Sequence, residues 1–136
     1  MKKVEEKAYA KVNLVLNIGD RRPDGYHDIQ TVMQSLELHD DVTVEQVDGT
    51  GIVVTTNVET IPTDENNLVV KAVKAFAAKT GVQADGLSIR IEKRIPVAAG
   101  LGGGSSDAAA TLRALNQIYE TNLSLDELAE IGMEVG

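Results

Sequence analysis

The chain has 136 residues, enough for one domain with a sizeable core. Hydrophobic residues make up 43% and charged residues 25%, as in ordinary globular proteins, but aromatics are only 3%, so the core must be aliphatic. A net charge of −8 argues against nucleic acid or an anionic membrane as partner, and the absence of cysteine excludes disulfides and thiolate metal sites.

The N-terminal run Met1-Lys2-Lys3-Val4-Glu5-Glu6 lacks the apolar core of a signal peptide, and no apolar run reaches membrane-spanning length. The expectation is a cytoplasmic protein. Val4 to Ala10 reads as a first strand. In the next, Lys11 to Ile18, the residues Val12, Leu14, Leu16 and Ile18 alternate onto one face, which leaves Lys11 and Asn13 together on the other, ~7 Å apart at ~3.3 Å per residue. A solvated strand face explains that pair as readily as a site does. Arg22-Pro23-Asp24-Gly25 suits a type I turn and delivers Tyr26 and His27 side by side. An aromatic beside an imidazole can stack on and hydrogen-bond to a heterocyclic base; a packed tyrosine beside a solvated histidine is the plainer alternative.

Ile29 to Leu38 alternates as a strand, His39-Asp40-Asp41 reads as a polar turn with His39 at the surface, and Val42 to Val47 forms the next strand. The D-G signal in Asp48-Gly49-Thr50-Gly51 predicts a hairpin-type return through Ile52 to Thr56. After a polar loop, Asn66 or Asn67 caps a helix with Leu68, Ala72, Val73, Phe76 and Ala77 inward and Lys71, Lys74 and Lys79 outward, ending at Gly81. Leu87 to Ile91 alternates as a strand and is followed by the basic step Lys93-Arg94. A helix from Ser106 to about Tyr119 places Ala108, Leu112, Leu115 and Ile118 on one face. Ser124-Leu125-Asp126-Glu127 has the form of a capping box opening a last helix, with Leu125, Leu128 and Ala129 inward. The order suggests an α+β domain without a plain parallel βαβ repeat.

The most informative stretch is Pro96-Val97-Ala98-Ala99-Gly100-Leu101-Gly102-Gly103-Gly104-Ser105-Ser106, between a strand and a helix. Its glycines permit positive φ and close approach of a ligand, and Ser105 or Ser106 is a suitable N-cap. The unpaired N–H groups and positive dipole end of the helix that follows make an anion site, with a nucleotide phosphate as the obvious anion. A tight turn with no ligand would use the same residues. Neither G-x-x-x-x-G-K-[ST] nor G-x-G-x-x-G is present.

This stretch resembles the phosphate-binding motif of the GHMP kinases. Ala10-Lys11-Val12-Asn13-Leu14, Arg22-Pro23-Asp24-Gly25-Tyr26-His27 and Glu65-Asn66-Asn67-Leu68 are similar to segments of the branch that phosphorylates 4-diphosphocytidyl-2-C-methyl-D-erythritol in non-mevalonate isoprenoid synthesis. The resemblance implies transfer from ATP, with Mg²⁺, to the 2-hydroxyl of that small molecule. It implies ATP-binding roles for Pro96, Val97, Ala98, Ala99, Gly100, Leu101, Gly102, Gly103, Gly104, Ser105 and Ser106, with Asn67, Leu68 and Lys93 on the adenine side. Lys11 matches the active-site lysine, Asn13 would hold the methylerythritol end, and Tyr26 and His27 the cytidine.

The implied fold is the α+β N-terminal domain of these kinases, resembling ribosomal protein S5 domain 2. It has a mixed or antiparallel sheet with helices on one side and a left-handed βαβ crossover, where the general rule is right-handed. Residues 1–136 would be that ATP-binding domain, with the family's second domain and catalytic aspartate absent from this chain. The resemblance therefore points to a poorly active fragment. A GHMP kinase for another alcohol and a non-catalytic nucleotide-binding module are the alternatives. No set of carboxylates has metal-binding spacing, and neither metal ligands nor oligomeric state can be read from the sequence.

Overall fold

The computed structural model describes residues 2–9, 38–59, 61–95 and 103–135. Four strands form one mixed sheet: β1 (Lys3–Tyr9), β2 (His39–Gln46), β3 (Ile52–Thr56) and β4 (Leu87–Glu92), in the order β1-β2-β4-β3. β1 and β4 both pair antiparallel with β2, and β3 lies parallel to β4. One row of partners, Val4–Val44–Ile89–Val54, crosses all four strands on the apolar face. The two-residue period carries this face along each strand, so that Ala8, Val42, Leu87 and Ile91 are buried with it.

Three helices cover that face among the described elements: α1 (Leu68–Thr80), α2 (Gly103–Ile118) and α3 (Leu125–Val135). α2 packs on β1 and β2 and against both other helices, and its residues Ala108, Leu112, Leu115 and Ile118 are buried as the spacing predicts. α1 contributes Val69, Val70, Ala72, Val73 and Phe76. Burying each large aliphatic or aromatic side chain is worth roughly 1.5–3 kcal/mol, so this helix layer is what holds the sheet.

The caps follow the sequence closely. The Asn67 side-chain oxygen accepts the Val69 N–H at 2.9 Å, and Gly81 closes α1 at φ 76°. Ser124 and Glu127 form the reciprocal capping box, each N–H donating to the other's side chain at 3.1 Å.

Several expectations are corrected. Asp48-Gly49-Thr50-Gly51 does not close a hairpin, because β4 lies between β2 and β3. β4 has three residues buried at 1% or less, Leu87, Ile89 and Ile91, whereas β3 buries only Val54, so the more apolar strand takes the interior position. In consequence β3, α1 and β4 do form a parallel βαβ unit. His39-Asp40-Asp41 is not a turn but the start of β2, with His39 half-buried and Asp40 fully buried. α2 has begun by Gly103, so Ser105 and Ser106 lie in its first turn and not at its N-cap. The helix starts here in spite of the poor helix propensity of glycine, and Gly104 stands close to Leu68 of α1. In α3, Leu128 and Ile131 point inward, while Leu125 is 79% exposed and Ala129 is also exposed. The strand expected over 11–18, the turn at 22–25 and all but the last residue of the strand expected over 29–38 lie outside the described residues.

Candidate functional site

The first turn of α2 meets the first turn of α1. A Cβ on Gly104 would stand 3.2 Å from Leu68 Cδ1, so the bare glycine lets the two helix ends approach. Asn67, one residue before Leu68, is 7% exposed and spends its amide on structure: its oxygen caps α1 and its nitrogen donates to the Pro62 carbonyl at 2.8 Å. On the other flank of α2, Ser106 lines a groove of about 610 Å³ with Glu5, Glu6, Lys7, Tyr9, Ala109 and Arg113. The N–H groups of Gly103, Gly104 and Ser105 have no carbonyl partner within the helix and carry its positive dipole end. An anion is the ligand such a corner suits.

Lys93 stands where the chain leaves β4. Its ammonium donates to Asp40 Oδ2 at 2.6 Å and Asp107 Oδ2 at 2.9 Å. The three side chains are 6%, 0% and 4% exposed. Asp40 also accepts the backbone N–H groups of Arg94 at 2.6 Å and Ile95 at 2.8 Å through its other oxygen. Asn57 clamps the same strand exit, accepting the Lys93 N–H at 2.8 Å and donating to its carbonyl at 3.3 Å. The strand exit at 93–95 and the helix start at 103–107 are thus tied by one buried ion network.

Burial pushes the Asp107 carboxyl up, and the nearby Asp40 adds to this against the pull of Lys93, taking it to about 7. Burial also pushes Asp40 up, but the contact with Asp107, the Ile95 N–H, Lys93 and the Arg94 N–H outweigh it and hold Asp40 below the ordinary value. For Lys93 the desolvation that lowers its basicity is outweighed by the two carboxylates, which raise it. Asp107 Oδ1 is buried with no hydrogen-bond partner among the described residues.

Sequence reasoning missed Asp40, Asn57 and Asp107. Two of them carried a signal. Asp40 is in phase with Val42 and Val44 on the apolar face of β2, and Asp107 shares a helix face with Thr111, Ala114 and Ile118. Lys93 likewise continues the buried series Leu87, Ile89, Ile91. Charges in the apolar phase of three neighbouring elements mark a buried network. Lys11, Asn13, Tyr26 and His27 lie outside the described residues, as do Pro96, Val97, Ala98, Ala99, Gly100, Leu101 and Gly102. Among the described residues no group of three or more histidines, aspartates or glutamates could hold a metal ion.

Residues 67–136 match the family described as GHMP kinases N terminal domain, which takes in α1, β4, the glycine-rich stretch and α2. The chain belongs to the GHMP kinases. It is 50% identical over 130 residues to the 4-diphosphocytidyl-2-C-methyl-D-erythritol kinase of Caldicellulosiruptor bescii, covering 96% of this chain and 45% of that protein. With the enzyme of the same name from Bacillus pumilus it shares 48% over 134 residues, covering 98% and 46% respectively. The chain therefore spans a little under half the length of these curated relatives.

Among solved structures, the fold superimposes on homoserine kinase from Cytophaga hutchinsonii with a TM-score of 0.75 at 21% identity, covering 99% of this chain and 41% of that one. A crystal structure of 4-(cytidine 5'-diphospho)-2C-methyl-D-erythritol kinase matches with a TM-score of 0.54 at 28% identity, covering 99% and 46%. The α+β architecture with helices on one face of a mixed sheet is that of the GHMP N-terminal domain.

Proposed function

We propose that this chain is the nucleotide-binding half of a kinase that transfers the γ-phosphoryl group of ATP to the 2-hydroxyl of 4-diphosphocytidyl-2-C-methyl-D-erythritol. The observation that carries this reading is the identity of 48–50% along almost the whole chain with kinases of that name. The geometry agrees with it: two helix N-termini converge at Leu68 and Gly104, beside the segment expected to wrap phosphates.

In the reaction the substrate hydroxyl oxygen forms a bond to the γ-phosphorus, the bond from that phosphorus to ADP breaks, and the hydroxyl proton is released. Catalysis of this kind is chiefly positioning and charge stabilisation. The N–H groups at the start of α2 would hold phosphate oxygens, together with the backbone of residues 96–102. Leu68 would border the adenine. Lys93 would support the site from below, since its ammonium is held by Asp40 and Asp107. Lys11 would neutralise charge on the transferred group and Asn13 would orient the methylerythritol. Tyr26 would stack on the cytosine and His27 would hydrogen-bond to it. Mg²⁺ bound to the nucleotide would supply further charge neutralisation. The family's catalytic aspartate, in the segment that follows residue 136 in these kinases, would receive the proton. The acidic balance of the chain suits a small-molecule partner in the cytoplasm better than nucleic acid or a membrane surface.

The test is phosphoryl transfer from ATP to 4-diphosphocytidyl-2-C-methyl-D-erythritol by this chain alone and by a fusion carrying the remaining half of the Bacillus pumilus relative. Transfer by the fusion and little by the chain alone is the expected result. ATP binding with no transfer to this substrate in either form would overturn the reading in favour of another alcohol or of a binding module.

A further inference from the structure

The Asp40–Lys93–Asp107 network is an unfavourable way to gain stability. Two carboxyl groups and one ammonium are enclosed in a site where no side chain is more than 6% exposed. Replacing buried ion pairs with well-packed apolar residues is often neutral or stabilising. Moreover, one oxygen of Asp107 is buried with no hydrogen-bond partner among the described residues, and burying such a group costs its desolvation. Packing alone would favour apolar residues at all three positions, which already follow the apolar phase of β2, β4 and α2.

What the network does accomplish is geometric. Asp40, on β2, accepts two successive backbone N–H groups at 94 and 95 and the Lys93 ammonium; Lys93 passes the connection to Asp107, one turn into α2. Asn57 holds the Lys93 backbone from β3's end. The two flanks of the glycine-rich segment, residues 93–95 and 103–107, are thereby fixed to each other through side chains.

We propose that Asp40 and Asp107, joined through Lys93, are positioning residues for phosphate binding at the N-terminus of α2, setting where that helix end stands relative to the exit of β4. The proposal rests on the nucleotide-binding reading above and adds the residues that hold its phosphate corner in place. In this role none of them needs to touch the nucleotide. Their effect is exerted on the phosphate end of the ligand and not on the base.

The test compares Asp107→Ala with Asp107→Asn in this chain. Alanine cuts the tie to Lys93, whereas asparagine keeps an oxygen for its ammonium. Expected is at least a tenfold weaker Kd for ATP in D107A, adenosine affinity unchanged, and D107N within threefold of wild type for both. Equal losses for ATP and adenosine, or an unchanged ATP Kd in D107A, would overturn the proposal. Amide exchange supplies a readout independent of ligand. The amides of Asp107–Ala110 pair with the carbonyls of Gly103–Ser106 across the first helical turn. They should exchange at least tenfold faster in D107A while those of α1 keep their rates. Unaltered exchange at 107–110 would sink the positioning role. A wild-type chain that binds neither ATP nor adenosine would instead sink the nucleotide-binding reading, with exchange still deciding whether the tie exists.

Discussion

The carboxylate of Asp40 accepts the backbone N–H of Ile95 at 2.8 Å across 55 positions of sequence. The β2–β4 ladder has its last paired residues at Asp41 and Glu92. Beyond it the strand exit has N–H groups at 94 and 95 with no carbonyl opposite, and the side chain of Asp40 stands in as their acceptor. A single carboxylate thus prolongs the sheet by two residues and then hands the chain to the glycine-rich segment. The same carboxylate holds Lys93, so the end of the sheet and the start of α2 share one anchor.

Removing that anchor should be costly. Asp40→Ala leaves two backbone N–H groups without their acceptor and Lys93 with one carboxylate in place of two. Breaking a buried charged pair typically costs about 3–5 kcal/mol. Urea unfolding of the variant should show a loss in this range with little change in slope. A loss below about 1 kcal/mol, the scale of an exposed ion pair, would mean that the network contributes little.

Asp107 gives stability a definite pH dependence. Its carboxyl lies at about 7 in the folded chain, above the ordinary 3.8, so folding favours the protonated form. The corresponding contribution is fully present below about pH 4 and is lost as pH rises through 7. Asp40, held low beside it, works in the opposite sense, and its contribution is lost only as pH falls below its ordinary value of 3.8. Among the described residues the groups facing Asp107 are Asp40 and Lys93, and Lys93 stays charged across this window. Tm should therefore fall between pH 5 and pH 7.5, and Asp107→Asn should flatten that fall. An identical slope in D107N would assign it to other groups.

Much of the architecture was legible because local rules coincide with the tertiary result. Asn67, Gly81 and the Ser124–Glu127 box act where their chemistry predicts, and the apolar spacing in α2 marks its buried face. The failures arise where a distant strand decides. Asp48-Gly49 is a good hairpin signal, yet Leu87, Ile89 and Ile91 form the more apolar partner and displace β3 from β2. Nothing local to 48–51 encodes the sequence 40 residues later. The site was legible as a motif and not as a structure: Gly103 and Gly104 stood out, whereas Asp40 looked like a turn residue because its partners, Lys93 and the N–H groups of 94 and 95, lie more than 50 positions away.

The lysine at position 11 separates chemistry from binding. In the proposed kinase it faces the transferred phosphoryl group, where charge builds up in the transition state. Lys11→Ala in the fusion with the relative's second half should lower kcat by about 10²–10³-fold, the usual cost of losing one such electrostatic contact. The KM for ATP should change by less than about fivefold, because ground-state phosphate binding is assigned to backbone N–H groups. Steady-state kinetics decide this, and an unchanged kcat would remove Lys11 from the catalytic machinery.

Two glycines test how tightly the strand that delivers Lys93 is held. Gly81 and Gly86 both adopt positive φ, at 76° and 65°. At Gly81 a Cβ would meet nothing within 4 Å, whereas at Gly86 it would lie 2.8 Å from the carbonyl oxygens of both Val47 and Gly49. The Gly86 carbonyl also accepts the Val47 N–H at 2.8 Å, so the backbone cannot swing aside without releasing that bond. Gly81→Ala should cost about 1–2 kcal/mol, the left-handed penalty alone. Gly86→Ala carries the same penalty plus displacement of two backbone segments, and should cost about 3 kcal/mol or more. Because Gly86 opens β4 and Lys93 follows its far end, only the second substitution should also weaken ATP binding. Equal costs from urea unfolding of the two variants would mean that the 47–49 backbone yields freely, and that the register of β4 does not depend on Gly86.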